Sequence, residues 1–72
     1  MTMKSYRSVE EAIRAEHSPQ DAERILALWE ESNEGEPAVL VETMTELVCK
    51  GTVVLSLDSY GQLLAKMPHP GN

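Results

Sequence analysis

Leu47-Val48-Cys49-Lys50-Gly51-Thr52-Val53-Val54-Leu55-Ser56-Leu57-Asp58-Ser59-Tyr60-Gly61-Gln62-Leu63-Leu64-Ala65-Lys66-Met67 is the stretch in which the chain changes period. Up to Lys50 the apolar residues recur at helical spacing. From Thr52 they alternate, with Val53, Leu55 and Leu57 on one face and Val54 and Ser56 on the other. Gly51 stands between the two regimes and suits the position just past a helix end, where positive φ is needed. Asp58-Ser59-Tyr60-Gly61 then reads as a turn. A three-residue loop, Ser59-Tyr60-Gly61, with Gly61 in the left-handed conformation of a bulge, pairs Leu57 with Leu63, Leu55 with Ala65 and Val53 with Met67. A four-residue loop would set Leu57 against Gln62 and Val53 against Lys66, placing charge on the buried face. The apolar face selects the first register.

Working back from Gly51, the preceding helix opens at Pro37, expected at its first helical position. Leu40, Val41, Met44, Leu47 and Val48 cluster on one side of it and are the expected core face. Glu42, Thr43, Glu46 and Lys50 lie opposite, with Val39 among them and Cys49 at their edge. Before it, Ser32-Asn33-Glu34-Gly35-Glu36 is a polar loop. The helix upstream starts with Ser18 as N-cap, Pro19 at the first position and Asp21 in the first turn. Its face is Ala22, Ile25, Leu26 and Trp29, widened by Leu28. A first, two-turn helix runs from a capping box at Ser8-Val9-Glu10-Glu11 to about Glu16-His17, with Val9, Ala12 and Ile13 apolar. Residues 1–7 and 68–72 are expected as loose termini of a single domain spanning 1–72; Pro68 and Pro70 cannot continue a strand.

Size and charge bound the function. The chain has 72 residues, with six Lys plus Arg against twelve Asp plus Glu, a net charge of −6. A domain this small buries only about 60% of the surface its unfolded chain exposes, which leaves little room for an enzymatic cleft. Its 42% hydrophobic content is too high for a disordered acidic tail. Excess acid opposes sequence-independent affinity for nucleic acid or anionic lipid. One cysteine, Cys49, excludes a disulfide scaffold and points to a reducing, cytoplasmic setting. The apolar runs at residues 38–41 and 53–55 are far below the roughly 20 residues of a spanning helix, and no signal peptide is visible at the start.

Three helices followed by a hairpin, joined through Leu47-Val-Cys-Lys-Gly-Thr-Val-Val-Leu and turned at Asp-x-x-Gly, resemble a winged-helix domain over about residues 8–67. The fold class expected is therefore α+β: a three-helix core with a C-terminal β-hairpin, or wing. The resemblance implies that the third helix would enter a DNA major groove, a task suited to Arg, Lys, Asn or Gln. Here that helix presents Glu42, Thr43 and Glu46, with only Lys50 basic. The second helix is also longer than the family's, and the loop after it is acidic.

No chemistry-bearing constellation stands out. His17, Cys49 and His69 lack the short paired spacings of a metal site. Cys49 sits at a helix C-terminus, where the dipole disfavours a thiolate. The four glycines stand singly, so there is no phosphate loop. No catalytic, cofactor or metal residue is expected, and no enzyme. What remains is surface: Glu42, Glu46 and Val39 on the third helix, Tyr60 at the wing tip, and Val54 and Leu64 on the outer face of the hairpin. These are the candidate partner-binding residues of a non-catalytic interaction or regulatory module, with a protein partner or a second copy as occupant. One alternative is a small DNA-binding regulator using Lys4, Arg7, Arg14, Arg24, Lys50 and Lys66. Another is an acidic inhibitor that mimics DNA.

Overall fold

The chain follows this plan, with three helices and then a two-stranded antiparallel hairpin, in a computed structural model that describes residues 5–67. The helices are α1, Val9–Glu16, α2, Pro19–Asn33, and α3, Ala38–Cys49; the strands are β1, Val54–Leu57, and β2, Leu63–Lys66. Among the described residues no helix is long and apolar enough to cross a membrane.

Local chemistry explains each boundary. At α1 the Ser8 hydroxyl accepts the Glu11 amide at 3.1 Å, satisfying one orphan donor of the first turn. The reciprocal half of the expected box is shifted. Glu11 Oε2 accepts the amide of Arg7 at 2.6 Å, one residue before Ser8. At α2 the Ser18 hydroxyl accepts the Asp21 amide at 3.3 Å, with Pro19 in the first turn. α2 runs two residues into the expected polar loop, to Asn33, and Gly35 follows with φ +81°. α3 begins differently. Pro37 is its N-cap rather than its first helical residue, and no side chain caps the end. Only the Pro37 carbonyl serves there, taking the amides of Leu40 and Val41.

The C-terminus of α3 closes in a Schellman motif. Gly51, with φ +80°, donates to the Val48 carbonyl at 3.1 Å, and Thr52 donates to the Leu47 carbonyl at 2.9 Å. Val53 adds a third amide, also to Leu47 O, at 3.2 Å. That bond explains a departure from the expected ladder. Leu57 pairs with Leu63 and Leu55 with Ala65 as anticipated, but the ladder stops at Val54 opposite Lys66. Val53 has been given to the helix cap, so it never pairs with Met67, which is left 67% exposed. The turn has the three-residue form. Asp58 N–H donates to Gln62 O, Gly61 N–H to Asp58 O, and Gly61 has φ +75°. The Asp58 carboxylate accepts the amides of Tyr60 and Gln62, both at 2.8 Å, which makes it the organiser of the wing tip.

The core is formed by Val9, Ala12 and Ile13 of α1, Ala22 and Ile25 of α2, Val48 of α3, and Val53 and Leu55 of the hairpin. Ile13 and Ile25 are its largest fully buried side chains. Each such burial is worth about 1.5–3 kcal/mol. Tyr6 packs against this core, and its amide donates to Cys49 O at 2.8 Å, so the segment before α1 is tied down at that point rather than loose. The rest of the expected loose ends, residues 1–4 and 68–72, lies outside the described residues.

Candidate functional site

The expected core face of α3 is only partly used. Val48 is buried, whereas Val41, Met44 and Leu47 are half-buried and Leu40 is 53% exposed. The cause is how the helices share their partners. α1 packs on both other helices, α2 packs on both strands, and α3 leans chiefly on α1. With its C-terminal turn fixed by the Schellman motif and its first turn uncapped, the N-terminal half of α3 stands away from α2 and the hairpin. A groove of about 300 Å³ opens between them. Trp29 of α2, Leu40 and Met44 of α3, and Leu55, Leu63 and Ala65 of the hairpin line it. Ser32, Asn33 and Glu36 form its polar edge. The apolar face of the hairpin is therefore open at Ala65, which is exposed.

A second cavity of about 300 Å³ lies between α1 and β1, lined mainly by apolar core residues with Glu16, His17 and Lys50 at its polar points. Those polar groups are already engaged. His17 Nε2 meets Leu55 O at 2.7 Å, a contact that requires the nitrogen to carry the hydrogen. Lys50 Nζ pairs with Glu46 Oε1 at 3.0 Å, and Glu16 has a partner of its own. Tyr6 lines the same space, so the polar side chains around it are Tyr6, Glu16, His17 and Lys50.

The residues singled out from the sequence fall into three places. Val39, Glu42 and Glu46 share the outer face of α3, on the side away from the groove, and Val39 is 65% exposed. Val54 and Leu64 share the outer face of the hairpin, where Val54 sits opposite Lys66 and Leu64 opposite Ser56. Leu64 is half-covered and Val54 is 40% exposed. Tyr60 projects from the wing tip, 85% exposed. By periodicity alone the groove residues Leu40, Met44, Leu63 and Ala65 belong to core faces. The apolar run at residues 38–41 covers more of the helix circumference than a single core face can bury, a signal for Leu40 alone; nothing in the spacing marks Met44, Leu63 or Ala65 as uncovered.

Two of the cations that a DNA surface would use form exposed ion pairs along the chain. Arg14 pairs with Glu10 at 2.9 Å and Lys50 with Glu46 at 3.0 Å, each with the carboxylate four residues earlier. Among the described residues there is no group of three or more His, Cys, Asp and Glu arranged to hold a metal. Cys49 is a free, half-buried thiol packed against the core, and His69 lies outside the described residues. No family model, no curated protein and no solved structure matches this chain.

Proposed function

We propose that this chain is a non-catalytic protein-interaction module that presents α3 to a partner. The observation that carries the proposal is the groove beside α3, an apolar cleft open to solvent on an acidic domain. Small domains normally close such space, since each large apolar side chain left uncovered forgoes about 1.5–3 kcal/mol of burial. In this reading the contact runs through the groove, while Glu42 and Glu46 lie on the opposite face of α3 and Tyr60 stands exposed at the hairpin tip. A DNA-binding role gains no comparable support, because the net charge is −6.

The test is a selection from a random peptide display library against the immobilised domain, counter-selected on a Leu40→Glu, Met44→Glu variant. Peptides that bind the native domain, compete with one another and ignore the variant are the expected outcome. A parallel titration with duplex DNA at moderate salt should show no retardation. Tight DNA binding with a steep salt slope, and no peptide that distinguishes the variant, would overturn the proposal.

A further inference from the structure

We infer that the cavity between α1, the C-terminal end of α3 and β1 is a binding site for a small, uncharged, apolar molecule about the size of two fused rings. The site is separate from the groove and does not depend on the interaction reading. Its walls are held by hydrogen bonds as well as by packing. The Tyr6 amide donates to Cys49 O at 2.8 Å and ties the entry to α1 to the end of α3. His17 Nε2 donates to Leu55 O at 2.7 Å and ties the other end of α1 to β1. The Schellman bonds of Gly51, Thr52 and Val53 hold the passage from α3 towards β1. A space preformed in this way needs little ordering when a ligand enters.

Burial grades the lining. Ala12, Ile13, Val48, Val53 and Leu55 line the space and are buried, so its inner wall is apolar. Tyr6 and His17 are half-buried and Glu16 and Lys50 exposed, which puts the polar groups at the outer edge, beside the exposed Val54. Apolar walls offer water too few hydrogen-bond partners and suit an apolar guest. Volume sets the guest's size. A cavity of about 150 Å³ accepts benzene, and this one is about 300 Å³. Charge sets the third property. The lining carries one carboxylate, Glu16, and one ammonium, Lys50, so neither sign of ligand gains a net attraction there. An ion of either sign would also lose hydration against the inner wall. Tyr6 and His17 can meet a single hydroxyl at the outer end of a neutral ligand.

The experiment titrates the methyl-labelled full chain with 2-naphthol, and with 2-naphthoate and 2-naphthylmethylammonium as charged controls of the same ring size. Binding is followed by NMR shifts, and the site is located by intermolecular NOEs. The neutral naphthol should bind saturably with a Kd at or below about 1 mM. It should bind at least about tenfold more tightly than either charged analogue, with NOEs to the methyls of Ala12, Val48 and Val53. Ala12→Leu, which adds bulk to the inner wall, should weaken binding about tenfold or more. Leu40→Glu, in the groove, should leave the affinity for 2-naphthol unchanged. Absence of saturation up to the solubility limit overturns the inference, as does equal affinity for all three ligands. NOEs confined to Trp29, Leu40 and Met44, or loss of binding in Leu40→Glu, would also overturn it by moving the ligand to the groove. If Ala12→Leu does not fold, the NOEs in the native chain and the Leu40→Glu control still decide.

Discussion

The two ends of α3 are built from equally apolar sequence and do opposite work. At the C-terminal end, Leu47 and Val48 accept three amides from Gly51, Thr52 and Val53, Val48 is buried, and the chain passes directly into the hairpin. At the N-terminal end there is no side-chain cap, Val39 and Leu40 are more than half exposed, and α2 and the hairpin stand off to leave the groove. Hydrophobicity alone does not distinguish these ends. What differs is backbone anchoring: the C-terminal end is held by the Schellman motif, the N-terminal end has no side-chain cap, and α3 packs chiefly on α1. The closed end stabilises the fold, and the open end is left available for contact.

The sharpest way to break this contrast is a matched pair of charges. Val48→Asp should cost about 3–5 kcal/mol, because it leaves an uncompensated charge in the core, enough to abolish a cooperative urea transition in a domain of this size. Leu40→Asp should shift the midpoint by less than about 0.5 kcal/mol, as surface substitutions do. Equal losses would mean that both ends are core. Next in size, Gly51→Ala forces a side chain into positive φ at the Schellman turn and should cost about 1–2 kcal/mol, measured by the same denaturation. Smaller still, Ser18→Ala removes a cap and should cost about 1 kcal/mol. Pro37→Ala, at the uncapped start of α3, should cost less, since no cap bond is lost. The smallest effect belongs to Lys50→Ala, which removes an exposed pair worth about 0.3–0.5 kcal/mol. Its effect should vanish in molar salt.

Much of this architecture is legible residue by residue because it depends on short-range chemistry. Ser8 and Ser18 cap the helices that follow them, Gly51 ends α3, and Gly61 fixes the three-residue hairpin loop; each needs only neighbours in sequence. The misses come where one group has two possible partners. Val53 could continue the ladder or complete the helix cap, and the nearby Leu47 carbonyl takes it. Glu11 could bond Ser8 or Arg7, and takes Arg7. The groove was hidden for a deeper reason. Periodicity shows that Leu40, Met44, Leu63 and Ala65 lie on inward faces, but whether another element arrives to cover them depends on how α3 leans on α1. No spacing along the chain encodes that angle. The acid at Glu42 and Glu46 was visible from the start, yet it lies on the side of α3 opposite the cleft.

Trp29 is the chain's single tryptophan and lies in the groove wall, so its emission reports on the open end of α3 directly. The decisive measurement is a titration of that emission with a tryptophan-free peptide selected by display on the native domain and counter-selected on the Leu40→Glu, Met44→Glu variant. A saturable blue shift is expected, as the half-buried indole loses water, retained in Glu42→Gln and Glu46→Gln and lost in Leu40→Glu. Emission that stays unchanged while the peptide binds, or a shift that survives Leu40→Glu, would contradict the assignment of the groove as the contact surface.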